Sequence, residues 1–150
     1  MSRFILYLSV VVCLGCGTTG QNAQRGPLAA AKLELRTLES VDGHAVGIAA
    51  TPGRFYLLSE EFLRYGSSAD YREMLDDTNA IVRVMALACL AYKDRAAFAQ
   101  ARVSHFEDDG RVLLFPGGCV AQETTVGSIV RNIETNYYFL GWILKTRGGI

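Results

Sequence analysis

The stretch from Ala80 to Tyr92 constrains the fold more than any other part of this chain. Between Ile81 and Ala91 every residue except Arg83 is apolar. A helix that is apolar on all sides must be surrounded by other elements of structure. The sequence therefore predicts a central helix over residues 80–92, covered by neighbouring helices.

Five further segments repeat apolar residues at the spacing of an amphipathic helix. Short polar turns separate most of them, and Pro27 suits the first turn of the first helix. The predicted helices span residues 27–41, 54–65, 67–75, 96–103 and 126–133. Such short helices with brief connections are typical of helical hairpins stacked side by side.

Local signals mark several helix ends. Gly66 follows the second predicted helix, where a left-handed residue often ends a helix. Ser67 and Asp70 have the spacing of a capping box for the next helix, with Asp in place of the usual Glu. The remaining candidate caps are Thr78 or Asn79 for the central helix and Thr124 or Thr125 for the last one.

Little of the chain has the character of a strand. Residues 111–115 read as one short extended segment, ended by Pro116 and two glycines. The aromatic segment 137–144 is too short to span a membrane and is expected to pack back on the domain. The predicted fold class is all-α, as a single helical domain over residues 27–144 with a tail over 145–150.

The amino terminus has the pattern of an export signal. Arg3 supplies a positive charge, residues 4–14 are almost all apolar, and small Gly15 precedes Cys16. The apolar run is about a dozen residues, whereas a helix that spans lipid needs about 20. Residues 1–15 are therefore predicted to be a cleaved signal peptide. The polar residues 16–26 have the composition of a flexible linker.

The residues around Cys16 add a resemblance to the lipobox of bacterial lipoproteins. Gly15 and Leu14 fit that pattern, although Cys13 stands where leucine is usual. The resemblance implies cleavage before Cys16, lipid attachment to it, and a place in the bacterial cell envelope. Gly17 is not the aspartate of an inner-membrane retention signal, which favours the outer membrane in a host that has one. The alternative is an ordinary secretory signal and a secreted or periplasmic protein.

Composition bounds the class of partner and the redox chemistry. The chain has 15 basic and 15 acidic residues, so it lacks the charge excess of a nucleic-acid-binding protein. A lipid on Cys16 would leave Cys89 and Cys119 as a candidate disulfide in an oxidising compartment. The alternative for Cys89 is a lone buried thiol, which behaves as a small apolar side chain.

Residues 77–90 resemble the second-helix signature of a HEAT repeat. The matching positions are Asp77, Val82, Arg83, Ala86 and Leu90. The positions of residues 82, 86 and 90 lie one helical turn apart, so they form a seam to adjacent helices, and the small residue 86 permits close approach. The carboxylate at 77 and the guanidinium at 83 are expected to tie the turn to the helix by charge-assisted hydrogen bonds.

Motifs for catalysis or for cofactors are sparse. The only histidines are His44 and His105, no metal-ligand spacing occurs, and no glycine-rich phosphate motif occurs. No metal or cofactor is expected. The leading hypothesis is a helical envelope module that binds an unidentified envelope protein, or has a structural role, and is not an enzyme. The alternative is an envelope enzyme that uses Cys119 as a thiol nucleophile with His105 as its base.

Overall fold

The computed structural model describes residues 19–133, with side chains from residue 26 onward. Within this part of the chain, six helices and three short strands follow one another. They are α1 (Thr19–Leu35), β1 (Ser40–Asp42), α2 (Arg54–Tyr65), α3 (Ser68–Leu75), α4 (Ala80–Lys93), α5 (Arg95–Ser104), β2 (Arg111–Phe115), β3 (Gln122–Thr125) and α6 (Val126–Asn132). The predicted signal peptide, Cys16, the segment 137–144 and the tail 145–150 lie outside the described residues.

Helix α4 is the centre of the domain, as predicted. It contacts α1, α2, α3, α5, α6 and β2. Every residue from Ile81 to Leu90 except Arg83 is buried. The uniform apolar surface of this helix is therefore matched by neighbours on all sides, which is what removes it from water.

Helix α1 differs at both ends from the helix predicted over residues 27–41. It begins at Thr19, so Pro27 lies inside it and residues 19–26, assigned by composition to the linker, are helical. Alanine, glutamine and arginine in that stretch favour a helix intrinsically, whereas Gly20 and Gly26 oppose it. The helix ends at Leu35, and residues 40–42 pair in a sheet instead of continuing it.

Helix α2 has the predicted bounds, but Gly66 ends it in a different way. Gly66 has φ −83° and ψ 152°, which is extended backbone and not the left-handed conformation. A Cβ atom there would lie 2.6 Å from Cε1 of Tyr71 and 2.8 Å from the carbonyl oxygen of Phe62. Glycine is therefore required by the close approach of Tyr71.

The predicted caps are confirmed. The Ser67 side chain accepts a hydrogen bond from the Asp70 N–H, and the Asp70 carboxylate accepts one from the Ser67 N–H, so the capping box is complete. Asn79 caps α4 by accepting from the N–H groups of Ile81 and Val82. Thr125 caps α6.

A three-stranded sheet corrects the all-α prediction to a mainly helical fold. The strand order is β1-β2-β3. Strands β1 and β2 are parallel, with Ser40 opposite Leu113. Strands β2 and β3 are antiparallel, with Arg111 opposite Thr125. Only β2 was expected, since β1 has three residues and β3 lacks the alternation of apolar and polar residues that marks a half-buried strand.

Candidate functional site

The repeat-signature residues lie on α4 and in the turn before it. Val82, Ala86 and Leu90 are buried, and they lie on one side of the helix at a spacing of four residues. All three are therefore buried on one side of α4, as a seam to adjacent helices requires. Asp77 lies in the connection between α3 and α4.

Arg83 is the one charged residue in the apolar run of α4, and it makes four hydrogen bonds. Its Nε and Nη2 atoms donate to the two carboxylate oxygens of Asp108, each at 2.8 Å. Its Nη1 atom donates to the carbonyl oxygens of Asp77 at 2.7 Å and Thr78 at 3.1 Å. One guanidinium group therefore links the start of α4 to the connection that follows α5.

Asp77 and Arg83 both bond the turn to the helix, as expected, but they do so through main-chain groups. Arg83 donates to the main-chain carbonyl of Asp77, and its carboxylate partner is Asp108. The Asp77 carboxylate accepts from the Asn79 N–H and pairs with Arg36. Each of the two side chains therefore combines a local main-chain partner with a charged partner that is distant in sequence.

Asp108 has several donors around its carboxylate. Besides Arg83, it accepts from the Gly110 N–H at 2.9 Å, and it lies 3.1 Å from Nδ1 of His105. Burial raises the pKa of Asp108, but the hydrogen bonds from Arg83, Gly110 and His105 outweigh burial and lower the pKa from 3.8 to about 2. The same ion pair raises the pKa of Arg83. The carboxylate is thus held in its charged form.

Helix α6 fixes the same turn from the other side. The N–H groups of Gly127 and Val126 donate to the carbonyl oxygens of Asp108 and Gly110, both at 2.9 Å. A Cβ atom on residue 127 would lie 2.6 Å from the carbonyl oxygen of Phe106. The turn 105–110 is therefore clamped between α4 and α6.

The clamped turn and the end of α5 expose two large apolar residues beside charged ones. Phe106 is 42% exposed, and Val103 on α5 is 78% exposed. The Arg131 guanidinium lies 5.3 Å from the centroid of the Phe106 ring, donates to the Phe106 carbonyl at 2.6 Å, and lies 3.9 Å from Glu107. We call these four residues, 103, 106, 107 and 131, the Phe106 surface. Aromatic and arginine side chains are those that most often contribute binding energy at protein interfaces.

The two cysteines of the described region stay apart. Cys89 is buried, Cys119 is exposed, and both are free. The candidate disulfide is therefore absent from the structure, because Cys89 lies inside the central helix and Cys119 lies in a loop. Burial raises the pKa of Cys89 to about 12, which leaves it an inert thiol.

The structure also separates Cys119 from His105. His105 lies at the start of the clamped turn, with Asp108 as partner. Strand β2 runs away from that turn for five residues before the loop that holds Cys119, a length of roughly 15 Å. The arrangement expected for a thiol nucleophile and its base is not formed.

Two further features of the described residues bear on function. Among them, no group of three His, Cys, Asp or Glu side chains could hold a metal ion. Within residues 19–133, no helix has the length and apolar character that crossing a membrane requires. Comparisons of the chain with protein-family models, curated proteins and solved structures gave no match.

The main members of this site carry no distinctive signal in the sequence. Asp108 lies in a run of turn-forming residues, and no motif marks Phe106 or Arg131. The run from Glu107 to Gly110 signals a turn and nothing more. The single charge in an otherwise apolar helix, Arg83, was the one usable signal, because a buried charge needs a partner.

Proposed function

We propose that this protein is a cell-envelope lipoprotein whose helical domain binds another envelope protein through the Phe106 surface. In this proposal Cys16 carries the lipid, in the outer membrane where the host has one. The domain acts as a binding or structural module. Ordinary secretion of the same module is the alternative for its location.

The observation that carries the proposal is the clamped turn. Arg83 holds Asp108 from the α4 side, and main-chain groups of α6 hold it from the other. Phe106 and Arg131 are therefore positioned before any partner arrives. Groups that are already ordered lose less conformational entropy on binding, which favours affinity.

The HEAT-like assignment of the domain belongs to the proposal as well. The α3–α4 hairpin supports it through the buried seam of Val82, Ala86 and Leu90 and through the bonds from Arg83 to the preceding turn. Stacked helical hairpins commonly present exposed surfaces to protein partners. Here the exposed apolar residues next to the clamped turn are the surface best suited to that task.

Metabolic labelling tests the lipid tether. Cells that express the wild-type chain are fed radioactive palmitate, and the labelled protein is compared with Cys16→Ala. The label is expected on the wild type and not on the variant. Equal labelling of both would contradict lipidation at Cys16.

Site-specific photocrosslinking in intact cells tests the binding surface. A photoreactive amino acid at Val103 is expected to give a discrete adduct with one envelope protein. The same amino acid at exposed Leu33 on α1 is the control. Arg131→Ala is expected to weaken the Val103 adduct, because it removes the cation beside Phe106. An equally strong adduct from Leu33, or none from Val103, would contradict the proposed surface.

A further inference from the structure

A second exposed apolar feature lies at the edge of the sheet, on two loops that follow β1 and β2. Because these strands are parallel, with Asp42 opposite Phe115, both loops leave the same edge. The Gly47 N–H donates to the Gly118 carbonyl at 2.8 Å, and the Gly118 N–H donates to the Ala45 carbonyl at 2.8 Å. We call residues 45–52 and 116–121 the double-loop tip.

The tip is exposed, apolar and free of charge. Ile48 is 99% exposed and Val120 is 73% exposed. No residue of 45–53 or of 116–121 carries a charge. Neither side chain is buried within the domain, so both are apolar groups on joined loops that a partner could remove from water.

The backbone of the tip satisfies much of its own hydrogen bonding. Val46 and Thr51 exchange N–H···O bonds of 2.8 and 3.2 Å, and the Ala50 N–H donates to the Gly47 carbonyl at 3.2 Å. The cross-loop bonds at Gly118 add two more. Such internal pairing is what polar backbone needs before it can enter an apolar medium, where an unpaired group is costly.

We propose that the double-loop tip inserts Ile48 and Val120 into the boundary between the headgroups and acyl chains of a lipid bilayer. A lipid surface is the occupant we infer, because the tip pairs much of its own backbone and can leave water with few unpaired N–H and C=O groups. The tip's lack of charge also removes the main cost of entering lipid, which is the transfer of an ionised group.

The base of the tip lies near one end of helix α1. Arg54, the first residue of α2 after the tip, donates through Nη2 to Glu34 at 2.6 Å, so the base of the tip lies beside the carboxyl end of α1. Helix α1 has 17 residues, a length of about 25 Å. A lipid on Cys16 and the inserted tip would then be separate contacts that fix the orientation of the domain. The tip contact itself does not depend on acylation of Cys16 or on the Phe106 surface.

A fluorophore on Cys119 tests the insertion directly. Cys119 is exposed and Cys89 is buried, so a thiol-reactive, polarity-sensitive dye labels the tip. Two forms are compared on phosphatidylcholine vesicles: the full acylated protein, and the full chain with Cys13→Ser and Cys16→Ser. In both we expect blue-shifted emission and quenching by nitroxide lipids labelled near the headgroup. Neither should change with added salt or with phosphatidylglycerol, because the tip carries no charge.

Matched substitutions decide the result. Ile48→Asp and Val120→Asp each place a charge on the tip. Each is expected to lower the equilibrium constant for insertion of the tip into the bilayer by on the order of tenfold. Leu33→Asp, at an exposed leucine on α1 (67% exposed), should leave the dye signal unchanged, and circular dichroism confirms that each variant is folded. The proposal is overturned by a dye that stays in water on vesicles, by an equal loss in Leu33→Asp, or by a tip that binds a protein but not lipid. If the wild-type protein carries no lipid on Cys16 and the dye signal is intact, the tether is refuted and the tip contact is supported.

Discussion

Asp108→Asn is the sharpest perturbation of the clamped turn. The substitution keeps the shape of the side chain but removes the charge that Arg83 faces. Both side chains are largely shielded from water, with Arg83 13% and Asp108 11% exposed. Arg83 would keep its charge in this largely buried position with only carbonyl oxygens as partners. A buried charge without a charged partner destabilises the fold.

The expected loss follows from the pKa of Asp108. Its pKa falls from 3.8 to about 2 in the folded protein, and each pH unit of difference corresponds to about 1.4 kcal/mol. The charged carboxylate therefore contributes about 2 kcal/mol to the free energy of unfolding. Because the folded-state pKa is the lower one, this stability is present above pH 4 and is lost as the pH falls through about 2.

Urea denaturation followed by far-UV circular dichroism, repeated between pH 7 and pH 2, measures this contribution. Asp108→Asn should unfold about 2 kcal/mol more easily than the wild type at pH 7, and the difference should vanish near pH 2. Asp109→Asn, an exposed neighbour, is the control and should change stability by about 0.5 kcal/mol or less. If Asp108→Asn matches the wild type at pH 7, or differs from it equally at every pH, the reasoning is wrong.

Three further predictions concern the cap of α4, Gly66 and the two cysteines of the described region. Asn79→Ala should lower the free energy of unfolding by about 1 kcal/mol because it removes the cap of α4, whereas Thr78→Ala should not; thermal melts compare the two. Gly66→Ala should cost about 1–3 kcal/mol, since the added methyl overlaps the Tyr71 ring. If that overlap is the cause, the same substitution should cost less when it is made in a Tyr71→Ala background. Iodoacetamide should modify Cys119 in the native protein and Cys89 only after unfolding. Mass spectrometry of the peptides measures the modification of each cysteine. Modification of Cys89 in the native protein would contradict its burial.

Features set by neighbouring residues were predictable from the sequence. The capping box at Ser67, the cap at Asn79 and the bounds of α2 each depend on residues within one helical turn. The central position of α4 was predictable for a different reason. A helix that is apolar on every side must be surrounded by other elements of the fold.

Features that depend on distant pairing were not predictable. Strand β1 has a single buried residue, Val41, and exists because it pairs with β2 much later in the chain. The partner of Arg83 is likewise far away in sequence, at Asp108. The left-handed conformation predicted for Gly66 was wrong, and the close approach of the Tyr71 ring, which requires a glycine there, has no local signal in the sequence.

The parallel pairing of β1 with β2 also bears on the order in which the chain folds. Strand β1 ends at Asp42 and β2 begins at Arg111, so the segment that closes the pair contains four helices. Short-range helical contacts form quickly, whereas joining distant segments carries the larger entropic cost. We expect α2 to α5 to assemble early in refolding and the sheet to close last, bringing the double-loop tip together in the final step.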